Sequence, residues 1–299
     1  MTNLLDETKI IMKKYNISAN KSLGQNFLID NQVIEKIVDS SEINKNDLVI
    51  EVGPGLGTLT KFILEKAKKV ICIELDKKMI NVLNDRFKLY DNFELLNEDI
   101  LKIDLDTLIN KEKNDNDINN VKIVANLPYY ITTPIVMKLL EGQLNLESIT
   151  IMIQKEVADR LIAIPGQKNT GAITYSVYYY SEPEEIIEVG NNCFIPKPEV
   201  ISKVIKLKIR KEPPVDVKDK DFMIKIIKYA FMQRRKTLLN ALVNGKILKN
   251  KEEGLKILKE LGISEDIRAE KLTIENFAQI ANRITVNKKN WYINISVTL

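Results

Sequence analysis

Leu48-Val49-Ile50-Glu51-Val52-Gly53-Pro54-Gly55-Leu56-Gly57, followed by the helical periodicity of Thr58 to Ala67, decides the fold class of this 299-residue chain. Leu48 to Val52 is a continuous β-rich run, and it enters a glycine loop before the apolar spacing changes to that of a helix. Working outward, Val70 to Glu74 reads as a second strand, Lys77 to Leu89 as a helix, and Phe93 to Leu96 as a strand ending in Asn97-Glu98-Asp99. Val121 to Ala125 is another strand, Pro134 to Leu140 a helix, Ser148 to Ile153 a strand, and Gln154 to Ile164 a helix stopped by Pro165-Gly166. Strands that alternate with helices predict a parallel sheet. The stretch Ala172 to Val189, rich in Tyr, Val and Ile, and the alternating Val200 to Ile209 predict an antiparallel edge beside it.

The flanks are less regular. Thr8 to Tyr15 is amphipathic, Lys21 to Leu28 reads as a loop, and Asn31 to Ser40 as a helix. Residues 110–120 (NKEKNDNDINN) have no apolar face beyond Ile118 and read as a solvated loop. Lys211-Glu212-Pro213-Pro214 marks a join, after which Phe222 to Phe231, Arg234 to Val243, Lys251 to Leu261 and Ile274 to Ile284 are all helical patterns. The expected architecture is an α/β, Rossmann-like domain over 1–210 and a small all-helical domain over 211–299.

Composition excludes several chemistries. The chain has no histidine, which removes the usual general base and the commonest metal ligand together. Its two cysteines, Cys72 and Cys193, form neither a metal-ligand spacing nor a disulfide framework, so no metal is expected. There is no run of 18 apolar residues and no basic-then-apolar start, which reads as a cytoplasmic chain with no membrane partner. The net charge of +4 hides an asymmetry. Residues 1–200 hold 23 Lys and Arg against 30 Asp and Glu, whereas residues 201–299 hold 22 against 11. The basic end is a candidate phosphate-binding surface, with Arg234, Arg235 and Lys236 the first candidates. Any one such cluster is equally well a solvated helical face.

The glycine loop invites a dinucleotide reading, but the Gly-x-Gly-x-x-Gly fingerprint starting at Gly53 would need glycine where Thr58 stands. Gly53 and Gly55 still let a ligand approach the backbone. Glu74, 21 residues after Gly53, ends the second strand and can accept from both hydroxyls of a ribose. Asp99 ends the third strand and can accept from an adenine amino group. Each acid alone is as well explained by a solvated strand end. Together they fall at successive carboxyl ends of a parallel sheet, where ligands of open α/β folds bind. That order fits S-adenosylmethionine, which has an adenosine but no pyrophosphate.

Asn126-Leu127-Pro128-Tyr129 closes the fourth strand. An exocyclic amine on a nucleobase is a poor nucleophile because its lone pair is delocalised into the ring. The Asn126 amide oxygen and the Leu127 carbonyl can accept the amine's two hydrogens and turn the lone pair outward. Tyr129 can stack on the ring. A Pro-terminated strand over a packed tyrosine is the plainer alternative.

With these residues in place the chain resembles the ribosomal RNA small-subunit adenine N6-dimethyltransferase (KsgA/RsmA) family over almost its whole length. Seven motifs carry the likeness in order: Lys21 to Leu28, Glu51 to Gly57, Asn126 to Tyr129, Gln154 to Ala158, Phe194 to Val200, Arg234 to Leu238, and Arg268 to Leu272. The resemblance implies that Asn26, Leu28, Gly53, Glu74, Asp99 and Asn126 contact S-adenosylmethionine, that Leu127 and Tyr129 complete the amine site, and that Phe194 stacks on the adenine from the other face. It implies dimethylation of two adjacent adenosines in the 3′-terminal hairpin loop of 16S rRNA, in a precursor 30S particle. A monomer is expected. Thr170 stands where the family has an aromatic residue, and the 110–120 segment is longer than usual. Rival readings are the sibling large-subunit methyltransferase of macrolide resistance, an RNA-binding assembly factor without catalysis, and a nicotinamide dehydrogenase.

Overall fold

The computed structural model describes residues 3–19, 24–142, 144–233 and 235–296. The chain begins with α1 (Leu4–Lys14), capped by the Asn3 side chain accepting from Leu5 N. A short strand, β1 (Phe27–Leu28), leads to α2 (Asn31–Ser40), whose first amides at Gln32 and Val33 donate to Asp30. The deciding stretch follows as expected: β2 (Asp47–Val52), buried at every residue, turns through the glycines into α3 (Thr58–Lys66). Then come β3 (Lys69–Ile73), α4 (Lys77–Phe87), β4 (Phe93–Leu96), α5 (Leu105–Asn116), β5 (Asn120–Asn126), α6 (Thr132–Glu141) and β6 (Ser148–Gln154). After α7 (Lys155–Leu161) and α8 (Ala172–Tyr180), β7 (Ser181–Val189), β8 (Phe194–Ile195) and β9 (Ser202–Ile209) complete the strands.

Seven strands form one sheet in the order β4-β3-β2-β5-β6-β9-β7. The five strands from β4 to β6 are parallel, and β9 and β7 add antiparallel at one edge. The chain leaves β2 on one side through β3 and β4 and returns on the other through β5 and β6. The crevice of a doubly wound sheet opens at such a reversal, outside the carboxyl ends of the strands. Ile34, Ile37 and Val38 of α2, Ile63 and Leu64 of α3, and Val82, Leu83 and Phe87 of α4 share a core with Val49, Val70, Val124 and Met152 of the sheet. Each such side chain contributes about 1.5 to 3 kcal/mol by leaving water, so the scaffold under the crevice is rigid.

Packing divides the chain into two units. The first holds the described residues up to Asp159 with Ser181–Ile209, and the second holds Arg160–Tyr180 with the described residues from Arg210 on. The strip 160–180 therefore groups with the C-terminal helices rather than with the sheet that precedes it in sequence. In the second unit, α8 packs with α9 (Lys220–Met232), α10 (Leu238–Asn244), α11 (Lys251–Glu260) and α12 (Ile274–Ser296) around Tyr175, Ile227, Leu242, Phe277 and Ile280.

Two expectations are corrected. Ala172 to Tyr180 is a helix, not part of an antiparallel strand. Its β-prone residues are overridden by tertiary packing: Tyr175 is fully buried, its ring 5.3 Å from Phe231 and 5.0 Å from Phe277, and its hydroxyl donates to Leu272 O at 2.6 Å. Residues 110–116, expected to be a loop, belong to α5. Asp104 caps that helix through Thr107 N, Leu105 and Ile109 are buried, and the inward position after them is taken by Glu112, which pairs with Lys69 at 2.6 Å. A buried ion pair occupies a place where an apolar periodicity was sought.

Candidate active site

A cleft of about 1110 Å³, its open mouth included, lies at the carboxyl ends of β2, β3, β4 and β5. Gly53 follows β2 with φ +67°, a conformation that suits glycine, and a Cβ there would meet nothing within 4 Å. Its backbone therefore faces open space. Gly53 N donates to Ile73 O at 3.0 Å, which ties the loop to β3. At the end of β3, Glu74 is almost wholly buried, and its two oxygens accept from Gly55 N at 3.2 Å and Asp76 N at 2.8 Å. Burial raises its carboxyl above the usual range. Two backbone donors orient that carboxylate while leaving lone pairs for a ligand. Past β4, Asp99 accepts from Leu101 N at 2.9 Å, and Asn97 donates to Glu74 O at 2.8 Å. Glu74, Asp99, Gly53, Gly55 and Asn126 all line the cleft, whose described lining includes Glu51 and Glu98 but no Lys or Arg.

Glu51, near the end of β2, was quoted only as part of the loop motif. It is fully buried beneath the glycines, accepting from Thr60 Oγ1 at 2.6 Å and Cys72 Sγ at 3.5 Å. Burial pushes its carboxyl up to about 7.

The candidate amine site lies where β5 ends. Asn126 Nδ2 donates to Asn26 O at 3.1 Å, and no described residue donates to its Oδ1. Leu127 N donates to Met152 O at 3.1 Å, which extends the strand pairing by one residue. The next carbonyls then part company. Pro128 O accepts from Ile131 N and from Thr132 Oγ1, whereas no described residue donates to Leu127 O. The short helix at Tyr129–Ile131 takes Pro128 O, not Leu127 O, as its first acceptor, which leaves the Leu127 oxygen outside the turn. Tyr129 is half-buried, its hydroxyl 2.6 Å from Ser202 Oγ on β9, and burial raises its phenol. The long axis of the ring is thus held at both ends.

The N-terminal motif reaches the same place. Lys21 to Leu23 lie outside the described residues, but Gln25 Nε2 donates to Asp76 Oδ2 at 2.8 Å, Phe27 packs against Gly55, and Asn26 and Leu28 line the cleft. β1 pairs with β8, setting Leu28 opposite Phe194 and Phe27 opposite Ile195. Phe194 itself is 1% exposed, sits in the first unit's core and does not line the cleft. The expectation of a ring facing the adenine is not met in this arrangement, because the β1–β8 pairing turns that side chain inward. Of the basic candidates, Arg234 lies outside the described residues, and Arg235 and Lys236 are exposed in the turn between α9 and α10. Among the described residues, no group of three metal-ligating side chains comes together, and no helix is long and apolar enough to cross a membrane.

Sequence reasoning missed the Gln25–Asp76 tether, the Ser202 partner of Tyr129, the Glu51–Thr60–Cys72 cluster and the rim position of Tyr130. Only the last left a visible signal, a doubled tyrosine after proline.

Comparison with known proteins agrees with this geometry. A family model described as ribosomal RNA adenine dimethylase matches residues 16–286. The ribosomal RNA small subunit methyltransferase A of Lachnoclostridium phytofermentans is 46% identical over 285 residues, covering 95% of this chain and 97% of that protein. The protein of the same name from Clostridioides difficile is 48% identical over 277 residues, covering 93% and 94%. Among solved structures, a dimethyladenosine transferase from Plasmodium falciparum superposes with a TM-score of 0.72 at 25% identity, covering 88% of this chain and 98% of that one. The 23S rRNA methyltransferase ErmE superposes with a TM-score of 0.66 at 23% identity, covering 87% and 100%, a likeness of fold.

Proposed function

The chain belongs to the ribosomal RNA adenine dimethylase family, and from that premise we propose that it transfers methyl groups from S-adenosylmethionine to adenine N6 in small-subunit ribosomal RNA. The observation that carries the reading is the pair of acceptors without a donor among the described residues, Asn126 Oδ1 and Leu127 O, in a cleft whose described lining holds carboxylates and no cationic side chain. Such a lining favours a ligand with hydroxyls and positive charge over a dinucleotide with a pyrophosphate. The residues present fit S-adenosylmethionine: Glu74 would hold the ribose hydroxyls, Asp99 the adenine amine, the open backbone at Gly53 and Gly55 the methionine portion, and Asn26 and Leu28 the roof. When bound, that cofactor supplies an electrophilic methyl on a sulfonium.

The chain's own residues prepare the nucleophile. Asn126 Oδ1 and Leu127 O accept the two amine hydrogens, which localises the nitrogen lone pair and points it away from both acceptors. Tyr129, its hydroxyl held by Ser202, stacks on the base. A stacked base recovers about 1 to 3 kcal/mol, against a few kcal/mol for extruding a nucleotide from a duplex and less from a loop. A second stack on Phe194 requires that ring to leave its core seat, so Tyr129 carries the first contact. A nitrogen that has received a methyl group would be acidic and could give its proton to water, so the lack of histidine is no obstacle. A second round yields the dimethylated base.

The substrate is proposed to be two adjacent adenosines in the 3′-terminal hairpin loop of 16S rRNA, met by a monomer on a precursor 30S particle in the cytoplasm. Arg235 and Lys236 would contact phosphates. Labelled S-adenosylmethionine offered to under-methylated 30S particles should place label in that hairpin. Label confined to large-subunit RNA, or none at all, overturns the reading.

A further inference from the structure

Tyr130 has no part in the chemistry above, yet it stands beside it. It is 58% exposed, whereas Tyr129 is half-buried and tied to Ser202. Both rings line the same cleft. They are successive residues of one turn of 3₁₀ helix, Tyr129–Ile131, where about three residues complete a turn, so adjacent side chains diverge by about 120°. One ring is held toward β9, and the other is carried to the rim. Among the described residues Tyr130 has no stacked ring partner, no cation over its face and no hydrogen bond to its hydroxyl. It is not loose, however. A Cβ added to Gly24 would lie 3.4 Å from Tyr130 Cδ1 and 3.5 Å from Pro128 Cβ, so Gly24 lies beside the ring, most of which meets solvent.

A base drawn out of an RNA strand leaves its neighbour with one stacking face uncovered. Aromatic side chains cover such faces with little regard to base identity, because every base has a π-face. We propose that Tyr130 is a stacking platform for the nucleotide next to the target adenine, so that the two tyrosines of the motif receive two successive bases, Tyr129 the reacting one and Tyr130 its neighbour. The inference rests on the function proposed above and deepens it: the site reads a dinucleotide step of single-stranded RNA rather than one flipped base. The backing by Gly24 matters because a ring already held at the rim loses little freedom when the base arrives.

The test uses the full chain with Tyr130→Phe, Tyr130→Ala and Tyr130→Leu, the last keeping apolar bulk without a π-face. Removing the stack should raise the KM for under-methylated 30S particles about 10-fold or more in the Ala and Leu variants, with kcat within about 3-fold of wild type. The Phe variant should behave as wild type, and affinity for S-adenosylhomocysteine should be the same in all four proteins. In a hairpin RNA with 2-aminopurine beside the target adenosine, fluorescence in the complex should be quenched by wild type and the Phe variant and bright with Ala and Leu. An unchanged KM for Tyr130→Ala overturns the platform, as does a Phe variant as impaired as Ala. A parallel loss of S-adenosylhomocysteine affinity also overturns it, because the ring would then be a wall of the cofactor cleft. If wild type itself transfers no methyl to the particle, the function proposed above fails and the platform falls with it. Failure of the platform with an active wild type leaves that function standing.

Discussion

The two ends of the same sheet are both polar, and they differ in how their polar groups are satisfied. At the amino end, Asp47 of β2 is wholly buried and Lys122 of β5 nearly so, and they pair at 2.9 Å. Asn44 N and Nδ2 and Asn120 Nδ2 fill the remaining sites on Asp47, and Lys122 also donates to Glu42 O. Lys206 pairs with Glu42 beside them at 2.7 Å. At the carboxyl end, Asn126 Oδ1 and Leu127 O have no donor among the described residues, and Glu74 and Asp99 are oriented by backbone amides. A cluster held mainly by its own ion pairs keeps strands in register, while open acceptors lining a cleft at the reversal of a doubly wound sheet are left for a ligand. Unused capacity is not confined to the site, since Glu147 Oε2, 3.6 Å from Lys122, and Thr150 Oγ1 are buried without a hydrogen-bond partner among the described residues; what marks the carboxyl end is that its open acceptors line a cleft.

The comparison is most strongly tested at the closed end. Lys122→Ala leaves Asp47 charged in a buried place without its cation, and removing one partner of such a pair costs about 3 to 5 kcal/mol. The urea midpoint should fall accordingly, while the protein that remains folded should bind S-adenosylhomocysteine normally. Loss of cofactor affinity without loss of stability would erase the distinction between the two ends.

Asn126→Ala should do the reverse. Removing one preorganised polar contact to a reacting group costs about 100- to 1000-fold in kcat, and at a half-buried strand end the melting temperature should hardly move. Equal losses in turnover and in binding of the 30S particle would deny the orienting role.

Glu51 lies between these extremes, buried like the amino-end cluster yet placed under the glycine loop. Its folded carboxyl, raised from 4.5 to about 7, holds its proton longer than the unfolded one. The stabilisation is therefore complete below about pH 4.5 and is lost as pH rises to about 7. At 1.36 kcal/mol per unit the full swing is about 3 kcal/mol. Glu51→Gln, which cannot ionise, should match wild type at pH 4.5 and exceed it in stability above pH 7. A constant difference across that range would show that Glu51 ionises as an ordinary surface acid.

Much of the site was legible because its residues sit at positions that local rules define. Glu74 ends a strand a fixed distance after the glycines, Asp99 ends the next, and Asn126 ends a run whose proline removes a donor. Other features had no such local marker. Phe194 is flanked by residues that suit a loop, and only its pairing opposite Leu28 turns it into the core. Gln25 reaches Asp76 across 51 residues, and Tyr129 reaches Ser202 across 73. The helix at 172–180 and the inward Glu112 show the same limit from the side of secondary structure, since a β-prone run and a charged residue were each reassigned by distant partners.

By itself the sequence determined the succession of parallel strands from β2 to β6, the glycine turn, the carboxylates at successive strand ends and the missing Pro128 donor, because these depend on local backbone preferences and spacings. Only the tertiary structure decided which polar atoms remain open and which aromatic ring meets solvent. Those outcomes depend on side chains from distant elements competing for the same hydrogen bonds and the same buried space. Asn126 and Tyr130 are exposed to a ligand because of what the rest of the fold leaves unpaired.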